Sequence, residues 1–205
     1  MRLFVAALPP TPVLDHLEQA LESVRGALDP EDSRGPLRWT LPDQRHLTLA
    51  FYGEVPEGAL EDLVTELGTV AAGASPVHLR LRGAGVFDRR TLWVGCAGDT
   101  DRLAELTGEV VDVGRRLFAR QDDRPRSRAH LTVARVRRQQ SGGGTHRGER
   151  RTGDVAALAH ALAVYQGPAW MLEDIAVVAS QLGAGPAGHP VHEVLARLPL
   201  RAVAG

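Results

Sequence analysis

One five-residue word occurs twice in this chain: His46-Leu47-Thr48-Leu49-Ala50 and, 84 positions later, His130-Leu131-Thr132-Val133-Ala134. Each copy alternates polar or small residues with large aliphatic ones, the period-two signature of a half-buried strand. By that alternation His46, Thr48 and Ala50 share one face, and Leu47, Leu49 and Phe51 the other. His130, Thr132 and Ala134 repeat the arrangement opposite Leu131 and Val133. The apolar faces are expected to pack on helices. Imidazole and hydroxyl then stand side by side on the open face, and the alanine beyond each threonine leaves room for a ligand.

The two words sit at equivalent places in two similar stretches. The first reads as a strand at Arg2–Leu8 and a helix striped by Leu14, Leu17, Leu21, Val24 and Leu28. A short segment Leu37–Thr40 and the run His46–Phe51 follow, then a helix striped by Leu60, Leu63, Val64, Leu67 and Val70. Strands are expected at Val77–Leu81 and Thr91–Ala97. The order then recurs: a helix with Leu103, Leu106, Val110, Val113 and Leu117, the run His130–Val133, a weaker helix Asp154–Ala163, and strands Trp170–Ser180 and Val191–Leu198. The expectation is an α+β fold in which pseudo-repeats of roughly 1–85 and 91–180 form one bilobal domain over residues 1–205. Two antiparallel sheets would face each other around a central cleft, with helices outside. The glycine-rich, charged stretch 139–153 is expected to be a mobile loop, and without lysine its glycines do not make a phosphate cradle.

Composition narrows the chemistry. All 24 basic residues are arginine, which excludes Schiff-base, P-loop and lysine-adenylate chemistry. The single Cys96 excludes a disulfide framework and a cysteine zinc cluster. No apolar run is long enough for a membrane helix and no secretory signal is read, so a cytoplasmic monomer away from membranes is expected. Twelve arginines lie between Arg115 and Arg151 against three acids, a net +9, so the rest of the chain carries −10. That asymmetry suits either a face built for phosphates or a solvated loop.

Two imidazoles and two hydroxyls brought to one point by a two-fold relation suit acid/base displacement at phosphorus. One neutral histidine takes a proton from attacking water, and the other, as imidazolium, protonates the departing oxygen. An unperturbed imidazole pKa near 6.5 makes both forms accessible. Threonine hydroxyls donate to the non-bridging oxygens, and neither a metal nor a cofactor is called for.

At these words the chain resembles the two-histidine (2H) phosphoesterase superfamily, and within it the bacterial RNA 2′,3′-cyclic phosphodiesterases, historically called 2′-5′ RNA ligases. The opening Met1–Pro9, the block from Trp39 to Val55, Gly83–Val94, Arg124–Val136 and Trp170–Gly183 are all similar to the family's blocks. The resemblance implies hydrolysis of a terminal 2′,3′-cyclic phosphate of RNA or a nucleotide to a 2′-phosphate. His46 would be the proton donor, His130 the acceptor, and Thr48 and Thr132 the phosphate-holding pair. It further implies base stacking by Phe51 and a phosphate contact by Arg135, although the alternation puts both on the apolar face, away from the cleft.

Other residues read more plainly. His189-Pro-Val-His192 has a metal-like gap but reads as a turn entering the last strand. His16, His146 and His160 read as solvated, and His78 as a core or edge residue. Trp39, Trp93 and Trp170 read as core, with Trp39 an alternative base-pocket wall. Asp43 reads as a turn residue, with orientation of an imidazole as the alternative. Three functional alternatives stay open: a 2′-5′ ligase running the displacement in reverse, a small cyclic-nucleotide phosphodiesterase, and a non-catalytic RNA-binding module.

Overall fold

The computed structural model describes residues 1–25, 37–118, 129–137 and 155–201. In chain order the strands are β1 (Arg2–Ala7), β2 (Leu37–Trp39), β3 (Leu47–Glu54), β4 (Val77–Phe87), β5 (Thr91–Gly98), β6 (His130–Val136), β7 (Gln166–Leu172), β8 (Asp174–Gln181) and β9 (Val191–Pro199). The helices are α1 (Thr11–Arg25), α2 (Leu60–Gly73), α3 (Thr100–Phe118) and α4 (155–161). None of the described helices is long and apolar enough to cross a membrane. The glycine-rich stretch 139–153 and most of the arginine-rich segment lie outside the described residues.

All described strands join one curled antiparallel sheet of order β7-β4-β5-β6-β3-β1-β8-β9, with β2 added on β6. The α+β architecture and the two expected sheets are there, but as two halves of one sheet. They meet where β3 and β6 touch, at a single residue pair, Leu47 with Leu131. The halves are built alike, with each histidine-bearing strand innermost and three further strands beyond it.

The helices cover one face. α2 and α3 pack on each other, α3 on β3, α2 on β8 and β9, and α1 on β7. Their stripes are those of the sequence: Leu17 and Leu21 on α1, Leu63 and Leu67 on α2, and Leu103, Leu106, Val110 and Val113 on α3 are all buried. Leu117, the last residue of the α3 stripe, is exposed. Between helices and sheet lies the main core, into which β1 sends Leu3, Val5 and Ala7 and β8 sends Ile175 and Val177. A small second cluster, Phe4, Ala6, Ala176 and Val178 with Leu8 and Phe51 against it, occupies the other face of the same strands.

Two strand expectations are corrected. Trp170–Ser180 is not one strand: it breaks at Glu173 into β7 and β8, which pair with β4 and with β1 in opposite halves of the sheet. The consecutive acids Glu173 and Asp174 mark the seam: Trp170 and Leu172 are buried before it, Ile175 and Val177 after it, so the alternation shifts by one position. β4 runs on past Leu81 to Phe87 through Gly83, Ala84 and Gly85. Gly85 lacks a side chain because a neighbour needs the space: a Cβ there would sit 2.3 Å from the Trp93 ring. The β4–β5 hairpin then closes through Asp88 and Arg89, both at positive φ, as a tight two-strand turn requires.

Leu47 and Leu131 are fully buried at the crossing of the two halves. Truncation there removes apolar burial and leaves a cavity where a single rung joins the halves. Leu131→Ala is therefore expected to cost about 3 kcal/mol, within the usual range for a buried leucine. For a chain of this size that lowers Tm by roughly 6–12 °C, measurable by thermal melts followed by circular dichroism.

Candidate active site

The crossing of β3 and β6 arranges the repeated words. About the Leu47–Leu131 pair the antiparallel sense sets His46 toward Thr132 and Thr48 toward His130. The leucines point into the core, so the four polar side chains stand on the opposite face. There they line one cleft of about 700 Å³. His46, Thr48, His130 and Thr132, the residues singled out in the sequence, all line it.

Phe51 and Arg135 are a correction. Both line the cleft, not the core. The cause is a β-bulge at the same point of each word. β1 pairs Ala6 with Thr48 but Val5 with Ala50, leaving Leu49 as the extra residue. β5 pairs Trp93 with Thr132 but Leu92 with Ala134, leaving Val133 as the extra residue. Each bulge shifts the alternation by one, so Leu49 with Ala50, and Val133 with Ala134, are consecutive buried pairs. Phe51 and Arg135 return to the face of the histidines, and Tyr52 drops into the core, where its hydroxyl donates to the Val110 carbonyl at 2.6 Å.

Each histidine leans on aromatic neighbours. The His46 ring stacks on Phe4 at 4.7 Å and 28°. His130 meets Phe87 edge-on at 4.8 Å, and Phe87 in turn stacks on Trp93 at 5.1 Å. His46 Nδ1 lies 2.8 Å from the carbonyl of Gln44, which makes Nδ1–H the donor and leaves Nε2 as the acceptor in the neutral ring. A backbone carbonyl therefore orients His46. Asp43, the alternative orienter, lies in the one-turn helix Pro42–Gln44 and acts electrostatically on His192 instead.

The cleft is strongly cationic. Arg2, Arg38, Arg115 and Arg135 line it, and among the described lining residues there is no Asp or Glu. Arg38 on β2 lies directly across from Arg135 on β6. Burial, and then the Arg38 charge, lowers the Arg135 guanidinium from its usual value. The Arg2 guanidinium lies 4.6 Å over the Phe51 ring. His46 responds to the same field: burial first, then the positive neighbours His192, His130 and Arg135, push it down to about 4 against the pull of the Gln44 carbonyl. In the free protein at neutral pH it is an uncharged imidazole.

Sequence reasoning missed Arg2, Arg38 and His192. The first two lie outside the arginine-rich segment, and no local pattern marks them. His189 and His192 do follow a turn into the last strand, as read, but both line the cleft, and His192 sits 5.3 Å from His46. Trp39 also lines the cleft, under the Arg25 guanidinium at 4.2 Å. His16, read as solvated, shares a hydrogen bond with the Tyr165 hydroxyl at 3.1 Å.

Behind the site lies a buried ion pair. The Arg45 side chain, next to His46, is fully enclosed and paired with Glu18 of α1, which also holds Arg25. Burial would raise the Glu18 carboxyl, but the hydrogen bonds and charges of the two arginines hold it below its ordinary value. α1 is thereby fastened to the segment that presents His46.

The curled sheet thus sets two histidine–threonine words face to face in a cationic cleft. The family model described as LigT like phosphoesterase matches residues 12–93. Among curated proteins, RNA 2′,3′-cyclic phosphodiesterase of Geobacillus stearothermophilus is 33% identical over 128 residues, 60% of this chain and 40% of that protein. The protein of the same name from Aquifex aeolicus is 27% identical over 108 residues, 49% of this chain and 55% of that one. The chain thus matches about half the length of these two relatives. The crystal structure of TT0787 of Thermus thermophilus superposes with TM-score 0.71 at 26% identity, covering 98% of both chains. The chain is thus similar in sequence to LigT-like phosphoesterases over residues 12–93, and similar in fold to the Thermus structure over its whole length.

Removing the Glu18 charge leaves Arg45 buried without its anion. Glu18→Gln is expected to destabilise by about 2–3 kcal/mol near pH 7, the low side for a buried pair because Glu18 is partly solvated. A carboxyl held below its ordinary value adds stability above that value and loses it as pH falls through the folded pKa. Urea titrations from pH 7 to pH 3 should show the difference between wild type and Glu18→Gln shrinking as the pH falls below the ordinary carboxylate range.

Proposed function

We propose that this chain hydrolyses terminal 2′,3′-cyclic phosphates of RNA or nucleotides to 2′-phosphates, using His46 and His130 as the acid/base pair. The carrying observation is the convergence of both histidine–threonine words on one cationic cleft at the Leu47–Leu131 crossing. The names of the curated relatives support the same substrate class. The reading takes residues 1–205 as one bilobal unit acting as a cytoplasmic monomer.

In this mechanism the cyclic phosphate lies between the imidazoles. Thr48 and Thr132 donate to its non-bridging oxygens, whose charge grows in the transition state, and Arg135 with Arg38 offsets that charge. An imidazole nitrogen of His130 takes a proton from water as the water oxygen bonds to phosphorus. The P–O3′ bond breaks, and His46 delivers a proton from Nε2 to O3′. Phe51, braced by Arg2, offers a face for the terminal base. The products are a 2′-phosphate and a free 3′-hydroxyl.

His46 begins this cycle uncharged, so the substrate itself must charge it. A phosphate anion beside Nε2 adds an acceptor and a negative charge, and both raise the imidazole. Binding of 2′,3′-cyclic AMP, a diester with no phosphate proton to lose at this pH, to the His130→Ala variant at pH 5.5, between the free His46 value near 4 and the unperturbed value near 6.5, should therefore take up protons. Calorimetric titrations in buffers of different ionisation enthalpy measure this uptake, and zero uptake contradicts the charging step.

The test of the function is turnover of 2′,3′-cyclic AMP and of an oligonucleotide with a cyclic-phosphate end, with 2′- and 3′-phosphate products separated. His46→Ala and His130→Ala should each lose about 10²–10⁴-fold in kcat, and Thr48→Val or Thr132→Val about 10²-fold, with activity unchanged in excess EDTA. Wild-type turnover in either histidine variant would refute the proposal. Salt-dependent RNA binding without product would favour the binding module, and joining of a 5′-hydroxyl strand would favour the ligase direction.

A further inference from the structure

His192 is an imidazole that the proposed chemistry does not use, yet it touches the group that the chemistry needs most. It lies on β9, across from Ser180 of β8, at the edge of the half-sheet that carries β3. Its ring meets His46 at 5.3 Å and 71°, and Phe4 at 5.1 Å and 69°. Phe4 itself lies flat under His46. Three rings from β1, β9 and the residue before β3 thus form a closed triangle on the cleft wall.

Gln44 ties the corners together. Its carbonyl accepts from His46 Nδ1, while its side-chain amide donates at 2.6 Å to the carbonyl of Pro190, two residues before His192. A second strap runs from Arg38 to the Gly188 carbonyl at 3.2 Å. The segment entering β9 is therefore latched to the segment that presents His46.

We propose that His192 is a positioning residue for His46, fixing as its edge-on partner the plane in which His46 turns Nε2 toward the phosphate. The inference rests on the acid/base role of His46 set out above. The Nδ1 bond holds one point of the His46 ring and Phe4 holds its face. Rotation about the remaining axis is blocked by His192, so loss of this ring costs orientation in the transition state more than substrate affinity.

The contact also couples charge. Two imidazoles this close disfavour double protonation, and His46 faces two more cations, His130 and Arg135 of β6. His192 is itself lowered by burial and raised by Asp43. A substitution that keeps a polar group but cannot be protonated should let His46 take up a proton more readily, with its titration moving to higher pH.

The experiment uses His192→Ala, His192→Phe and His192→Gln with 2′,3′-cyclic AMP as substrate, alongside NMR titration of the His46 ring in the ligand-free protein. His192→Ala should lower kcat about tenfold with KM within threefold, and His192→Phe, which restores an edge-on ring, should recover most of it. His192→Gln should move the His46 titration upward by about half a pH unit. Wild-type kcat in His192→Ala, or an unmoved His46 titration in His192→Gln, overturns the inference while leaving the cyclic phosphodiesterase reading intact. Failure of the wild-type protein to turn over any cyclic phosphate would instead sink that reading, and the titration would still decide whether His192 governs His46.

Discussion

The site depends on one rung of sheet. β3 and β6 belong to half-sheets that curl away from each other, and they touch only where Leu47 faces Leu131. Each leucine is flanked by a histidine and a threonine, so a single antiparallel contact brings four polar side chains to one face. A longer ladder would flatten the junction and fill the space with strand. No contact at all would leave the two words in separate lobes. The buried leucines hold the crossing through the same core that holds the helices, so the geometry of the cleft and fold stability share an anchor.

The second constraint is the pair of bulges. An extra residue after each threonine, Leu49 in one strand and Val133 in the other, turns the strand by one position. Without it the histidine strands could present only His, Thr and Ala to the cleft. With it each strand adds one more side chain: an aromatic face from Phe51 and a guanidinium from Arg135. The same shift buries Tyr52 in the core, where Gly114 of α3 leaves so little space that a Cβ would lie 2.5 Å from the tyrosine ring. The bulge serves the site on one face and the helix packing on the other.

Electrostatics follow from this placement. A cleft lined by arginines and histidines, with no carboxylate among its described lining residues, is a poor place for an imidazolium and a good one for a phosphate. His46 is therefore held down to about 4 in the free protein, and an anion beside it would raise it. Behind the site, Glu18 pairs with both Arg45 and Arg25, and this counter-charge serves structure.

Much of this was legible in one dimension. The repeated word, its alternation and the leucine stripes of α1, α2 and α3 are local patterns, and local patterns report which residues face a core. They were enough to nominate His46, Thr48, His130 and Thr132 and to place them on two similar strands. What they could not report depends on partners distant in sequence. The bulges arise from pairing with β1 and β5, so alternation read along one strand put Phe51 and Arg135 on the wrong face. The division of Trp170–Ser180 is decided by which neighbour each half pairs with, β4 or β1. Arg2, Arg38 and His192 reach the cleft only because β1, β2 and β9 are laid beside the histidine strands by the sheet order. The chemistry of the central residues was thus determined by the sequence alone. Their surroundings, and with them the charge on His46, were decided only by the tertiary fold, because register and burial are properties of strand pairs and not of any single strand.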